Sequence, residues 1–202
     1  MRIGILGGTF DPPHVGHLAI AQDAWARVPL DRVLFVPAAL PPHKIGVVCT
    51  APDLRLEMVR AAIAGDDRFE ASPLELERSG PSYTVDTLRE LTKRQQGTEL
   101  FLLLGADQFR EIGTWRESAE IARLARLVVI PRGDEDAAPM KDARGALPHD
   151  ARVTRLDATR IDISSTEIRR RRAAGEPIRY LVPDDVLRVI EREHLYEDDR
   201  QC

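Results

Sequence analysis

Apolar residues in this chain fall into short solid runs that alternate with helical stripes. Ile3, Ile5 and Leu6 make the first run, which Gly7 and Gly8 end. Residues 32–36 make the second, 99–104 the strongest, and 127–130 and 152–156 two more. Short apolar runs bounded by Gly, Pro or Asp read as strands buried on both faces. Between them lie helix-like stripes. Val15, Leu18, Ala19 and Gln22 share one face, and so do Leu54, Met58, Ala61 and Ala62 behind a capping Asp53. Val85, Leu88 and Leu91 follow a helix start at Ser82, and Ile121 and Leu124 have helical spacing in 115–124. Two closing helices are predicted over 164–172 and 184–193, the latter with Val186, Leu187 and Ile190 inward. Residues 69–76 read as extended, with a turn at 78–81. Strand and helix in alternation predict an α/β fold, a doubly wound parallel sheet with helices on both faces. The expectation is a single domain over residues 1–202 with a C-terminal helical segment at about 164–196.

Two stretches break the alternation. Residues 37–52 are proline-rich and irregular, and 131–150 show no periodicity. Loops of such length are functional or are surface inserts, and a lid over a site is one reading of the second. Composition then narrows the class. The chain has 202 residues, enough for one sizeable core, and a formal net charge of −4. That balance argues against a nucleic-acid partner held by bulk charge. Cys49 and Cys202 have no metal or redox spacing and read as reduced thiols. No stretch approaches the ~20 apolar residues of a membrane span, and no signal-peptide pattern opens the chain. The expected place is the cytoplasm, with no membrane partner.

Candidate chemistry gathers at the carboxyl ends of the predicted strands, where open parallel sheets bind ligands. After the first strand come Gly7, Gly8, Thr9, Phe10, His14 and His17; after the second, His43 and Lys44; after 99–104, Gly105 and Asp107; after 127–130, Arg132. A glycine turn leading into a helix N-terminus presents unpaired amides to an anion. Two imidazoles stand at that same helix start, and Gly16 between them leaves room for a phosphate. Metal ligation by His14 and His17 has little support, because no third ligand and no H-E-x-x-H is evident. A packed or capping role is the plainer alternative. The pattern G-x-G-x-x-G is absent, no acidic residue ends the second strand for an NAD ribose, and no P-loop is present. Ser164 and Glu167 make a capping box. Ser165, Thr166 and Arg169 lie beyond what a cap needs, and they read as a second anion site. Arg170, Arg171 and Arg172 read as a solvated face. Ser82 to Thr87 is a third helix start, and Trp115 alone reads as core.

Taken together these residues resemble a known family. Gly-Gly-Thr-Phe-Asp-Pro-Pro-His-Val-Gly-His-Leu is similar to the H-x-G-H signature of the nucleotidylyltransferases. Pro-Pro-His-Lys, Ser-Tyr-Thr-Val-Asp-Thr-Leu, Gly-Ala-Asp with a downstream Trp, Ile-Ser-Ser-Thr-Glu-Ile-Arg and Tyr180-Leu-Val-Pro narrow it to the bacterial nicotinate-nucleotide adenylyltransferases. The resemblance runs in order over nearly the whole chain and implies a Rossmann-like fold. It implies AMP transfer from ATP to nicotinate mononucleotide, with Mg2+ carried by the ATP phosphates and deamido-NAD and pyrophosphate as products. By the same resemblance, His17 and His14 are the catalytic pair. ATP would be held by Gly7, Gly8, Thr9, Phe10, His14, His17, Gly105, Asp107, Ser165, Thr166 and Arg169. Nicotinate mononucleotide would meet His43, Lys44, Tyr83, Thr84, Trp115 and Arg132, the indole stacking on the pyridine ring. No residue is implied as a metal ligand. A pantetheine-phosphate or nicotinamide-mononucleotide adenylyltransferase is the near alternative, and a non-catalytic nucleotide sensor the distant one. Whether the chain forms homo-oligomers is left open by its sequence.

Overall fold

A computed structural model describes residues 1–40, 50–131 and 143–198. Six strands, β1 (Arg2–Gly8), β2 (Arg32–Pro37), β3 (Phe69–Ala71), β4 (Glu99–Gly105), β5 (Ala125–Ile130) and β6 (Val153–Arg155), form one sheet in the order β3-β2-β1-β4-β5-β6. The pairings β1–β4, β4–β5 and β5–β6 are parallel, with Ile3 opposite Leu100 and Ile5 opposite Leu102. Parallel neighbours require crossovers, and the helices provide them. These are α1 (Val15–Arg27), α2 (Pro52–Ala62), α3 (Thr84–Arg94), α4 (Ala106–Arg110), α5 (Ser118–Leu124), α6 (Ser165–Ala173) and α7 (Asp184–Arg192). The result is a Rossmann-like α/β sheet. Strand order reverses at β1, whose carboxyl end is the Gly7–Gly8 turn.

The chain divides into two compact units. One comprises Met1–Leu6, Ile20–Leu34 and Tyr83–Arg160; the other comprises Gly7–Ala19, Phe35–Ser82 and Ile161–Cys202. In the first, Leu100 to Leu104 of β4 and Leu127 to Val129 of β5 are almost fully buried. Val85, Leu88 and Leu91 on α3 are buried too. A β-carbon on Gly4 would come within 2.8 Å of the Leu30 Cδ1 methyl, so a larger residue here would require that side chain to shift. Buried Asp23 on α1 accepts from the Thr159 amide, and Arg27 donates to the Asp157 carbonyl. In the second unit, Met58 on α2 packs with Ile168, Ile178, Val182, Val186, Val189, Ile190 and Tyr196. Each such aliphatic side chain contributes roughly 2 kcal/mol on leaving water. That burial docks the two closing helices onto α2.

Several predicted starts shift. Asp53 does not cap α2: the helix begins at Pro52 with Ala51 before it, and Asp53 lies in the first turn. Proline at the first position makes a side-chain cap less necessary. Ser82 does not open α3, whose N-cap is Tyr83 without a side-chain cap. The Ser82 hydroxyl instead accepts from the Ala39 amide at 3.0 Å. Only residues 69–71 of the extended stretch form a strand, because Leu76 and Glu77 turn back onto the Pro73 carbonyl. Trp115 precedes its helix, following a 3-10 turn at Ile112–Thr114. No described helix is long and apolar enough to cross a membrane.

Candidate active site

The second unit carries the glycine turn and both histidines. β1 ends with the Ala38 amide donating to the Gly8 carbonyl at 2.9 Å. Phe10 follows with φ 51° and its side chain buried. A β-carbon on Gly8 would stand 3.1 Å from the Phe10 ring, so Gly8 makes room for that ring. A β-carbon on Gly7 would meet nothing within 4 Å. Neither internal packing nor a positive φ demands glycine there, which is what a close-lying ligand would ask of it. Phe10 turns its ring against His17, with centroids 5.0 Å apart at 66°.

The two imidazoles stack at 3.7 Å between centroids and 27° between planes. The His14 amide donates to His17 Nδ1 at 3.2 Å. An accepting Nδ1 carries no proton, so the neutral His17 ring bears its proton on Nε2 and is a donor there. His14 is buried, its Nδ1 has no hydrogen-bond partner among the described residues, and burial lowers its pKa to about 4. Both rings are therefore compatible with a polyphosphate as donors rather than as bases. Gly16 also has a packing role that its sequence context does not show. A β-carbon there would lie 3.0 Å from His14 Nδ1, so the space it leaves is filled by the His14 ring.

The start of α6 reaches the same turn. Ser164 caps it, accepting from the Glu167 amide at 3.2 Å. The Glu167 carboxylate binds Arg170 and Arg171 rather than completing the box, and this holds its pKa near 2. The Ser165 hydroxyl donates to the Pro12 carbonyl at 2.9 Å, and Arg169 Nη1 to the Asp11 carbonyl at 2.9 Å. Arg169 Nε is buried without a partner among the described residues, and Thr166 is exposed. The Asp11–Pro12 bond is cis.

Sequence reasoning missed two residues of this unit. Arg55 is fully buried and donates to the carbonyls of Thr9 at 2.7 Å, Thr50 at 3.0 Å and Ala39 at 3.3 Å. Its signal was available: Arg55, Met58, Val59 and Ala62 share one helical face, so a cation interrupts an apolar stripe. Tyr196 donates to Asp11 Oδ1 at 2.6 Å and accepts from the Thr50 hydroxyl at 3.0 Å. Nothing in its local pattern announced this.

The first unit holds the other candidates. Gly105 ends β4 and its amide donates to Gln108 at 3.1 Å. Asp107, in the first turn of α4, pairs with Arg110. Tyr83 and Thr84 stand at the uncapped start of α3, and Arg116 lies 4.7 Å from the Tyr83 ring centroid. Trp115 is half-buried, and its indole N–H has no acceptor among the described residues. His43, Lys44, Arg132, both cysteines and most of 131–150 lie outside the described residues.

A parallel sheet ending in a glycine turn beside two stacked imidazoles and a capped helix start is an arrangement suited to binding phosphate groups. A family profile described as cytidylyltransferase-like matches residues 5–171. The probable nicotinate-nucleotide adenylyltransferase of Exiguobacterium sibiricum is 44% identical over 97% of this chain and 99% of its own. That of Thermus thermophilus is 48% identical over 97% and 100%. The chain belongs to the nicotinate-nucleotide adenylyltransferases, within the cytidylyltransferase-like family. Among solved structures, Plasmodium falciparum nicotinic acid mononucleotide adenylyltransferase complexed with NaAD superposes with a TM-score of 0.80 at 19% identity, covering 98% of each chain. The Vibrio parahaemolyticus putative nicotinate-nucleotide adenylyltransferase gives 0.66 at 20% identity, over 96% and 94%. These two show the shared fold.

Proposed function

We propose that the chain transfers the adenylyl group of ATP to nicotinate mononucleotide, releasing pyrophosphate and forming deamido-NAD for NAD synthesis in the cytoplasm. The attacking 5′-phosphate is ionised at neutral pH, so the step needs no general base and no covalent intermediate. It needs two phosphates in line and charge taken up on the α-phosphate and the leaving pyrophosphate. The observation that carries the reading is the His14 amide on His17 Nδ1, which aims His17 as an Nε2–H donor. His17 meets the α-phosphate. His14, Thr166, the Ser165 and Thr166 amides and Arg169 take the β and γ phosphates, with the Ser165 hydroxyl already engaged by Pro12. Gly7, Gly8, Thr9 and Phe10 line the nucleotide through the backbone, with Gly105 and Asp107 by the ribose. Mg2+ enters as part of the substrate, held by phosphate oxygens and water, the usual manner for this ion.

Nicotinate stacks on Trp115, and its carboxylate meets the Tyr83 and Thr84 amides. His43, Lys44 and Arg132 add contacts to the mononucleotide phosphate. A helix N-terminus favours an anion over a neutral amide. The acid mononucleotide is therefore preferred to nicotinamide mononucleotide. The test is pyrophosphate release from ATP with each mononucleotide. Faster turnover of the acid is expected; no release with either overturns the proposal.

A further inference from the structure

The segment at residues 9–12 is short, irregular and placed immediately before His14, yet it is tied down on every side. Among the described residues its groups enter hydrogen bonds that include Thr9 O with Arg55, Asp11 Oδ1 with Tyr196, Asp11 Oδ2 with the Thr50 amide, Asp11 O with Arg169, and Pro12 O with Ser165. Arg169 and Ser165 belong to the proposed phosphate site. Arg55 and Tyr196 do not, and they are among the most deeply buried large side chains described. Burying a guanidinium is costly unless its donors are satisfied, and an apolar side chain of similar volume would stabilise a core at least as well. Here the guanidinium spends its donors on carbonyls from three separate stretches, Thr9, Ala39 and Thr50. The nearby Asp11 charge offsets part of its desolvation. Thr50 links the two halves, since its carbonyl takes Arg55 while its amide and hydroxyl reach Asp11 and Tyr196. A buried polar network of this kind selects one geometry for the backbone it holds.

We propose that Arg55 and Tyr196 are positioning residues for adenylyl transfer: through Thr9 and Asp11 they hold the backbone that presents His14 and His17 to the ATP phosphates. Neither touches a substrate. The proposal rests on the assignment of this turn to ATP.

The test is steady-state kinetics of Tyr196→Phe, which keeps the ring and removes only the hydroxyl. Losing a hydrogen bond to a charged group should raise the ATP KM about tenfold. The KM for nicotinate mononucleotide should move less than about twofold, since that substrate meets other elements. Asp11→Asn should raise the ATP KM as well, and the double variant should be no worse than the poorer single one. Arg55→Lys, which keeps the charge but cannot reach three carbonyls at once, should repeat the selective loss should Tyr196→Phe prove unstable. An unchanged ATP KM, or a fall in melting temperature with both KM values moved together, overturns the proposal. His17→Ala separates the two failures. If it lowers kcat while Tyr196→Phe leaves the ATP KM unchanged, the positioning role is wrong; if His17→Ala leaves kcat unchanged as well, the ATP assignment is wrong.

Discussion

Around residues 9–12 the carbonyls and the carboxylate are bound from within the protein, by Arg55, Thr50, Tyr196, Ser165 and Arg169. Around Tyr83 and Trp115 the arrangement is the reverse. The helix start has no side-chain cap and the indole N–H no acceptor among the described residues. The first region is held to one shape and, under the proposed function, would offer a triphosphate a rigid frame. The second leaves donors that, under the proposed function, would meet the group distinguishing one mononucleotide from another. Rigidity serves the reacting phosphates, where small displacements cost rate, and open donors serve selection, where an unmatched group costs affinity.

The largest effect should come from the rigid region. His17→Ala should lower kcat by roughly 10²–10³ with little change in either KM, as measured by pyrophosphate release, because the lost donor acts on charge developing in the transition state. A normal kcat would reduce the histidine pair to packing. The second effect is on stability. Burial lowers the His14 pKa from 6.5 to about 4. Between those values the unfolded chain binds a proton that the folded chain refuses, so stability falls as pH drops through this window, by up to about 3 kcal/mol at pH 4. Chemical denaturation from pH 7 to 4.5 should show a shallower slope for His14→Asn than for the wild type; equal slopes would remove this buried imidazole from the balance. The smallest effect should come from the open region. Trp115→Ala should raise the nicotinate mononucleotide KM about tenfold, a stacking-sized loss, and leave the ATP KM alone. A shift in the ATP KM instead would erase the division between the two regions.

Legibility in the sequence followed the same division only in part. The glycine turn, the histidine pair and β4 were evident because each depends on neighbours in the chain, a solid apolar run or a fixed spacing. The starts at Asp53 and Ser82 were misplaced because helix boundaries depend on which donor the fold brings near. Ser82 is taken by Ala39 across a gap that no local pattern spans. The packing of Gly16 against the His14 ring was hidden for a similar reason: that ring belongs to a residue whose rotamer the sequence does not state. Arg55 left a trace as a cation in an apolar stripe, whereas Tyr196 left none, since its partner lies 185 residues away.

That separation bears on the order in which the protein is made. Residues 7–17 leave the ribosome long before Tyr196, so a growing chain holds its glycine turn without the phenol that fastens Asp11 until 185 residues have been added after Asp11. Truncation just before Tyr196 removes no strand of the sheet but takes away that final anchor. The turn that follows the first strand is fastened by a residue made long after it.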